Sequence, residues 1–176
     1  MFDCIGTLIE VRGYRHEDSL RDMYRSLVKD GFHLDQAQFL EAYRRVYEHY
    51  RRLRHETLME VTNAIWIAAA LNALGFDVKP ESKAVRRAVN AYFEKYFRSL
   101  RPRRCARQTL GIFSRRYRVA VVSNFTYAPV IYAVLRKYRL NAHLRAVVVS
   151  DEVGWRKPHP KIFMDCLLYT SPSPRD

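Results

Sequence analysis

An α/β chain whose parallel sheet is interrupted by an all-helical insertion is what this sequence predicts, on three observations. From residue 18 to residue 98 apolar residues recur at helical spacing, in four stretches parted by turn signals. Beyond residue 104 two continuous β-branched runs, YRVAVVSN at 117–124 and LRAVVVSDE at 144–152, flank a helical stretch. That is the pattern of parallel strands buried on both faces and joined by a crossover. Ahead of the helices stands MFDCIGTLIE, a carboxylate and a Gly-Thr turn with almost no strand before them.

The first helix spans about 18–30, with Leu20, Met23, Tyr24, Leu27 and Val28 on one face and Asp30-Gly31 as its stop. Asp35 can cap the second, whose stripe of Phe39, Leu40, Tyr43, Val46, Tyr47, Tyr50 and Leu53 reads as core. Tyrosines and arginines alternate along it, and packing explains the tyrosines more simply than base stacking. The third, about 57–74, contains AIWIAAALNAL and ends at Gly75, which places it at the centre of a small bundle with Trp66 as a packing residue. Pro80 suits the first turn of the fourth, which presents Val85, Val89, Tyr92, Phe93, Tyr96 and Phe97, and Pro102 marks the exit. A helix over 104–116, the strand at 117–124, a helix over 128–138 and the strand at 144–152 complete the α/β part.

The expected division is residues 1–9 and 99–165 for a partial α/β core and 10–98 for the helical insertion. Residues 166–176, CLLYTSPSPRD, form a segment apart. They back-translate into the sequence of a transposase-type sequencing adapter, so they are expected not to be native. Only Met1 and Phe2 precede Asp3, where a buried strand needs about five residues. The chain is therefore expected to be a fragment.

A composition of 48% hydrophobic and 13% aromatic residues excludes wholesale disorder. No apolar run approaches the roughly 20 residues that span a bilayer, and no basic and apolar leader precedes Asp3. A cytoplasmic protein without membrane contact is the expectation. Cys4, Cys105 and Cys166 show no metal-ligand spacing, and disulfides are not expected. The net charge of +13 comes from 31 basic residues, 24 of them arginine, against 18 acidic ones. The pairs Arg44-Arg45, Arg51-Arg52, Arg86-Arg87 and Arg103-Arg104 fall largely on solvent faces of helices, a simpler reading than a nucleic-acid surface.

Three short segments line up at strand ends: Asp3 in D-x-x-G-T-L, Ser123-Asn124 closing VAVVSN, and Lys157 in DEVGWRKPHPKIF. Ligands of an open parallel sheet sit at the carboxyl ends of its strands, so the three can converge. A carboxylate can act as covalent nucleophile, a hydroxyl and an amide can bind a transferring group, and a lysine can neutralise developing negative charge.

In order and wording these motifs resemble the haloacid dehalogenase superfamily of hydrolases, over about residues 2–165. The resemblance implies a Rossmann-like core, incomplete here, with a four-helix cap that closes over the site and selects a small, anionic substrate. It implies Asp3 as nucleophile, Thr7, Ser123 and Asn124 as substrate ligands, and Lys157 as the cation. In the phosphatases of the superfamily Asp3 and the backbone carbonyl of Ile5 would also hold Mg²⁺, and an aspartyl intermediate would be hydrolysed. Two departures stand out. Ile5 occupies the place of a second Asp that transfers protons, and the acidic metal-binding motif expected after the Lys-Pro segment is absent; Asp151 and Asp165 do not match it. The expectation is a phosphatase-type hydrolase as the parent protein, this chain itself being inactive. The alternatives are a metal-independent 2-haloacid dehalogenase-like hydrolase, although Phe125 and Ile5 depart from that pattern too, and a catalytically weak binding module with a basic surface.

Overall fold

The computed structural model of the protein describes residues 1–170. The chain forms two compact units, one of Gly13–Thr57 and Val61–Ser99, the other of Met1–Arg12, Leu58–Glu60 and the residues from Leu100 onward. Residues 10–12 and 58–60, inside the range expected for the helical insertion, thus belong to the α/β unit.

The helical unit holds α1 (His16–Lys29), α2 (Gln36–Thr57), α3 (Asn63–Asn72) and α4 (Lys83–Ser99). Glu17 and Asp18 open α1 and Lys29 closes it, charges that complement the helix dipole at each end. Asp35 caps α2 as expected, its Oδ1 accepting the Gln38 N–H at 2.9 Å. Gly75 closes the turn after α3 at φ +89°, a left-handed conformation that lets the Phe76 N–H reach the Leu71 carbonyl at 3.2 Å. α1 packs on α4, and α2 and α4 both pack on α3. Met23, Leu27, Phe39, Ile67, Leu71, Val85 and Ala88 are fully buried between them. Each large apolar side chain so placed contributes about 1.5–3 kcal/mol.

Three expectations for these helices are corrected. α3 starts at Asn63 instead of 57, because Leu58 sits at φ +58° and turns the chain out of the helix. Pro80 precedes α4, which starts where the Ser82 Oγ accepts the Val85 N–H at 3.3 Å. Along α2 only Phe39, Ala42 and Tyr43 are buried, so the second half of the expected stripe is not core. With 22 residues against the ten of α3, α2 is about twice as long as the helix it packs on at about 1.5 Å per residue. Trp66 is packed as expected, 3% exposed, with Tyr47 edge-on at 5.2 Å and the Arg54 guanidinium over its ring at 5.1 Å.

In the α/β unit β1 (Ile9–Val11) pairs antiparallel with β2 (Leu100–Pro102), from Ile9 opposite Pro102 to Val11 opposite Leu100. β2 was not foreseen, since Pro102 signalled only an exit; at a strand's last position its missing N–H costs no ladder bond. β3 (Ala120–Ser123) and β4 (Ala146–Val149) pair in parallel, Ala120 opposite Ala146 through Ser123 opposite Val149. Phe2 extends this sheet on the other side of β3: its N–H reaches the Ala120 carbonyl at 2.8 Å and its carbonyl takes the Val122 N–H at 2.9 Å. With neighbours on both sides, all of β3 is buried, which explains its unbroken apolar run.

The helices of this unit are α5 (Ala106–Ser114), α6 (Ala128–Lys137), the single turn α7 (Ser150–Val153) and α8 (Pro160–Thr170). Asp151 and Glu152, expected at the end of a strand, instead open α7, where acidic residues suit the first turn. α8 covers one sheet face, and Ile162 and Cys166 are buried against Ala120, Val122 and Val148. Of the segment 166–176, residues 166–170 continue α8, and 171–176 lie outside the described residues. Among the described residues no disulfide forms; Cys4 and Cys166 are buried and Cys105 is exposed. Among the described residues no helix is long and apolar enough to cross a membrane.

Candidate active site

Asp3 follows Phe2 directly, so the parallel pairing of Phe2 with β3 puts its carboxylate at the end of the sheet where β3 delivers Ser123 and Asn124. The turn after Asp3 is closed by one acceptor. The Cys4 carbonyl takes the N–H groups of Thr7, Leu8 and Ile9 at 3.3, 2.9 and 3.0 Å, while the Gly6 N–H reaches the Ile9 carbonyl at 2.7 Å. Gly6 sits at φ +92°, which a residue with a Cβ adopts only under strain. The Cys4 thiol beneath is fully buried, and burial, aided by the Asp3 charge, pushes its pKa up to about 12. It stays protonated.

Lys157 comes from the loop after α7 and completes the pair. Its Nζ donates to Asp3 Oδ1 at 2.7 Å and to the Val122 carbonyl at 2.8 Å. An ammonium carries three N–H donors, so one is left for a ligand. Asp3 Oδ2 has no protein partner among the described residues. The Lys157–Pro158 peptide is cis. The sequence placed these two residues 154 positions apart in one site, and the ion pair joins them.

The other expected residues fare differently. Ser123, the last residue of β3, is 1% exposed. Asn124 bonds the lysine loop through both ends of its carboxamide: Oδ1 accepts the Lys157 N–H at 2.6 Å and Nδ2 donates one of its two N–H groups to the Lys157 carbonyl at 3.1 Å. Thr7 is exposed on the turn, with no side-chain bond to Asp3.

The residues present do not complete a Mg²⁺ site. Asp3 and the Ile5 carbonyl are two oxygen donors, the Ile5 side chain is aliphatic, and no group of three His, Cys, Asp or Glu gathers among the described residues. Mg²⁺ takes about six oxygens in octahedral geometry and is held by one or two carboxylates with waters and substrate phosphate.

Sequence reasoning missed a second cluster beside the lysine loop. The Glu60 carboxylate is paired with Arg156 and accepts from the Ser150 hydroxyl, and Asp151 Oδ2 accepts the Ala128 N–H at 2.7 Å, capping α6 from another element. The signal for Glu60 was present but faint. Val61 and Thr62, β-branched residues just before the apolar helix, mark a place where the chain is extended.

No protein-family profile and no curated protein sequence match the chain. Solved structures do. A 2-haloacid dehalogenase from Pseudomonas syringae pv. Tomato DC3000 aligns with TM-score 0.52 and 15% identity, covering 97% of this chain and 73% of that one. The HAD-hydrolase YfnB of Bacillus subtilis, solved with magnesium, aligns with TM-score 0.49 and 15% identity over 98% of this chain and 74% of that one. The L-2-haloacid dehalogenase of Xanthobacter autotrophicus with covalently bound chloropropionic acid aligns with TM-score 0.47 and 19% identity over 99% and 67%. Mixed helix and sheet, a parallel pair at the core and this alignment over nearly the whole chain lead to one conclusion: the protein has the fold of the haloacid dehalogenase superfamily of hydrolases.

Proposed function

We propose that the protein is a hydrolase using Asp3 as a covalent nucleophile on a small anionic substrate, in the first instance a phosphate monoester with an acidic leaving alcohol. The reading rests on one observation, the Lys157 ammonium held 2.7 Å from the Asp3 carboxylate. Asp3 Oδ2 attacks phosphorus, the ester P–O bond breaks, and its electron pair leaves on the alcohol oxygen, which takes a proton from solvent. Water then attacks phosphorus in the aspartyl phosphate, releasing inorganic phosphate and restoring the carboxylate. The Lys157 side chain offsets the charge gathering on the transferring oxygens. Ser123 at the strand end can donate to the same group.

Ile5 restricts the leaving group. A side chain without a proton cannot assist an alkoxide, and such assistance is worth about 10² to 10⁴ in rate. Ile5 and the incomplete donor set also favour a second reading, displacement of halide from a 2-haloacid by Asp3, with hydrolysis of the resulting ester by water. Halide leaves without a proton.

Hydrolysis of p-nitrophenyl phosphate, with and without Mg²⁺, set against halide release from 2-chloropropionate, separates the two. Phosphate release that disappears in Asp3→Asn supports the first, and metal-independent halide release selects the second. A chain that turns over neither defeats both and leaves a binding module.

A further inference from the structure

Glu60 lies in neither helix nor strand, yet its carboxylate side chain is 0% exposed. Burying a carboxylate is costly unless it is paired and hydrogen-bonded. Here it is both. Arg156 Nη1 donates to Oε1 at 3.0 Å and to Oε2 at 2.8 Å, and the Ser150 hydroxyl donates to Oε2.

Both partners lead to the active site. Arg156 is bonded through the chain to Lys157. The Ser150 Oγ accepts the backbone N–H of Phe125 at 2.9 Å, and Phe125 follows Asn124. Asn124 and Lys157 are in turn locked by two hydrogen bonds, so the network closes into a ring. The backbone strengthens it: the Arg156 N–H reaches the Leu58 carbonyl at 2.8 Å, the Glu60 N–H reaches the Gly154 carbonyl at 2.9 Å, and Met59 bridges Trp155 between them. Residues 154–157 carry no helix or strand of their own. The segment 58–60 supplies the order they lack.

We propose that Glu60 is a positioning residue, which through Arg156 and Ser150 fixes loop 154–157 so that the Lys157 ammonium stays on Asp3. The proposal rests on the reading of Lys157 as the cation that serves Asp3. A carboxylate is required because it alone can accept from a guanidinium and a hydroxyl together while neutralising the buried charge.

The test uses the full chain as wild type, Glu60→Gln, Glu60→Asp and the double variant Glu60→Met/Arg156→Met. Trace acetylation with acetic anhydride, read by mass spectrometry, compares Lys157 with the exposed Lys161, beside melting curves and turnover of an aryl phosphate. Glu60→Gln should raise Lys157 labelling several-fold relative to Lys161 and lower kcat about 10- to 100-fold with KM little changed, the scale of a misplaced catalytic group. Glu60→Asp should recover part of both. The double variant, free of an unpaired charge, should regain the melting temperature while Lys157 still labels fast. Lys157 labelling at the wild-type rate in Glu60→Gln overturns the proposal, as does a double variant that recovers slow labelling along with its stability. Should Glu60→Gln not fold, Glu60→Asp carries the same comparison. A rise in labelling in a chain that hydrolyses no phosphate ester supports the positioning role and sinks the phosphatase reading instead.

Discussion

Lys157→Met keeps a stem of similar length and removes the ammonium. At 2.7 Å from Asp3 Oδ1, the Coulomb attraction is about 1.5 kcal/mol in a medium like water and about 6 kcal/mol at an effective dielectric of 20. The side chains are 24% and 40% exposed, so solvent screening holds the ground-state value near the lower figure or below it. Loss of the pair should therefore lower the melting temperature by no more than about 3–6 °C. Turnover should suffer far more. The charge on the reacting group grows in the transition state, and removing one preorganised donor costs about 2.7–4 kcal/mol, or about 10² to 10³ in kcat. The assay is initial-rate hydrolysis of p-nitrophenyl phosphate beside a melting curve on the same sample. A variant that keeps kcat within about threefold of wild type, a barrier change under about 0.7 kcal/mol, would refute the role given to Lys157.

Three further outcomes are expected. Ile5→Asp supplies a proton donor and should accelerate alkyl phosphates by up to about 10² to 10⁴ while helping aryl phosphates much less; equal effects on both, measured as kcat across leaving groups, would count against the reading of Ile5. Burial holds the Asp151 carboxyl above its ordinary pKa, with the Ala128 N–H pulling it partly back. A carboxyl raised in the folded state favours folding while protonated and loses that contribution as pH rises through the folded value. Asp151→Asn, which can still accept the Ala128 N–H, should thus melt above wild type at neutral pH and lose the advantage on acidification; a gap that widens in acid contradicts this. In the helical unit Ile67→Ala, at a position 0% exposed, should cost about 2–5 kcal/mol in denaturant unfolding. Ile112→Ala, 56% exposed, should cost within about 0.5 kcal/mol.

What could be read from the sequence was whatever depends on spacing along the chain. The four helices, the Asp35 cap and the two β-branched runs depend on neighbours within a few residues, and they stand where expected apart from their ends. Asp3 and Lys157 were found together because both adjoin strand ends, and parallel strands bring those ends to one edge. What escaped depends on partners distant in sequence. Leu58 leaves the helical path because residues 58–60 bond to residues 154–156, and no periodicity encodes that. β2 was hidden because its three residues carry a proline and pair with a strand about ninety positions earlier in the chain. That the Asn124 carboxamide bonds the Lys157 backbone follows from a loop geometry no motif spells out.

The antiparallel pairing of Ile9–Val11 with Leu100–Pro102 zips together the two points where the chain departs for the helical unit and returns. On that seam alone, the insertion would be an exchangeable cassette, replaceable in a laboratory graft without disturbing the sheet. The segment 58–60 removes that freedom. It arises in the middle of the inserted sequence, yet it carries the carboxylate on which Arg156 and Ser150 depend. A graft joined at Val11 and Leu100 would therefore have to bring its own glutamate.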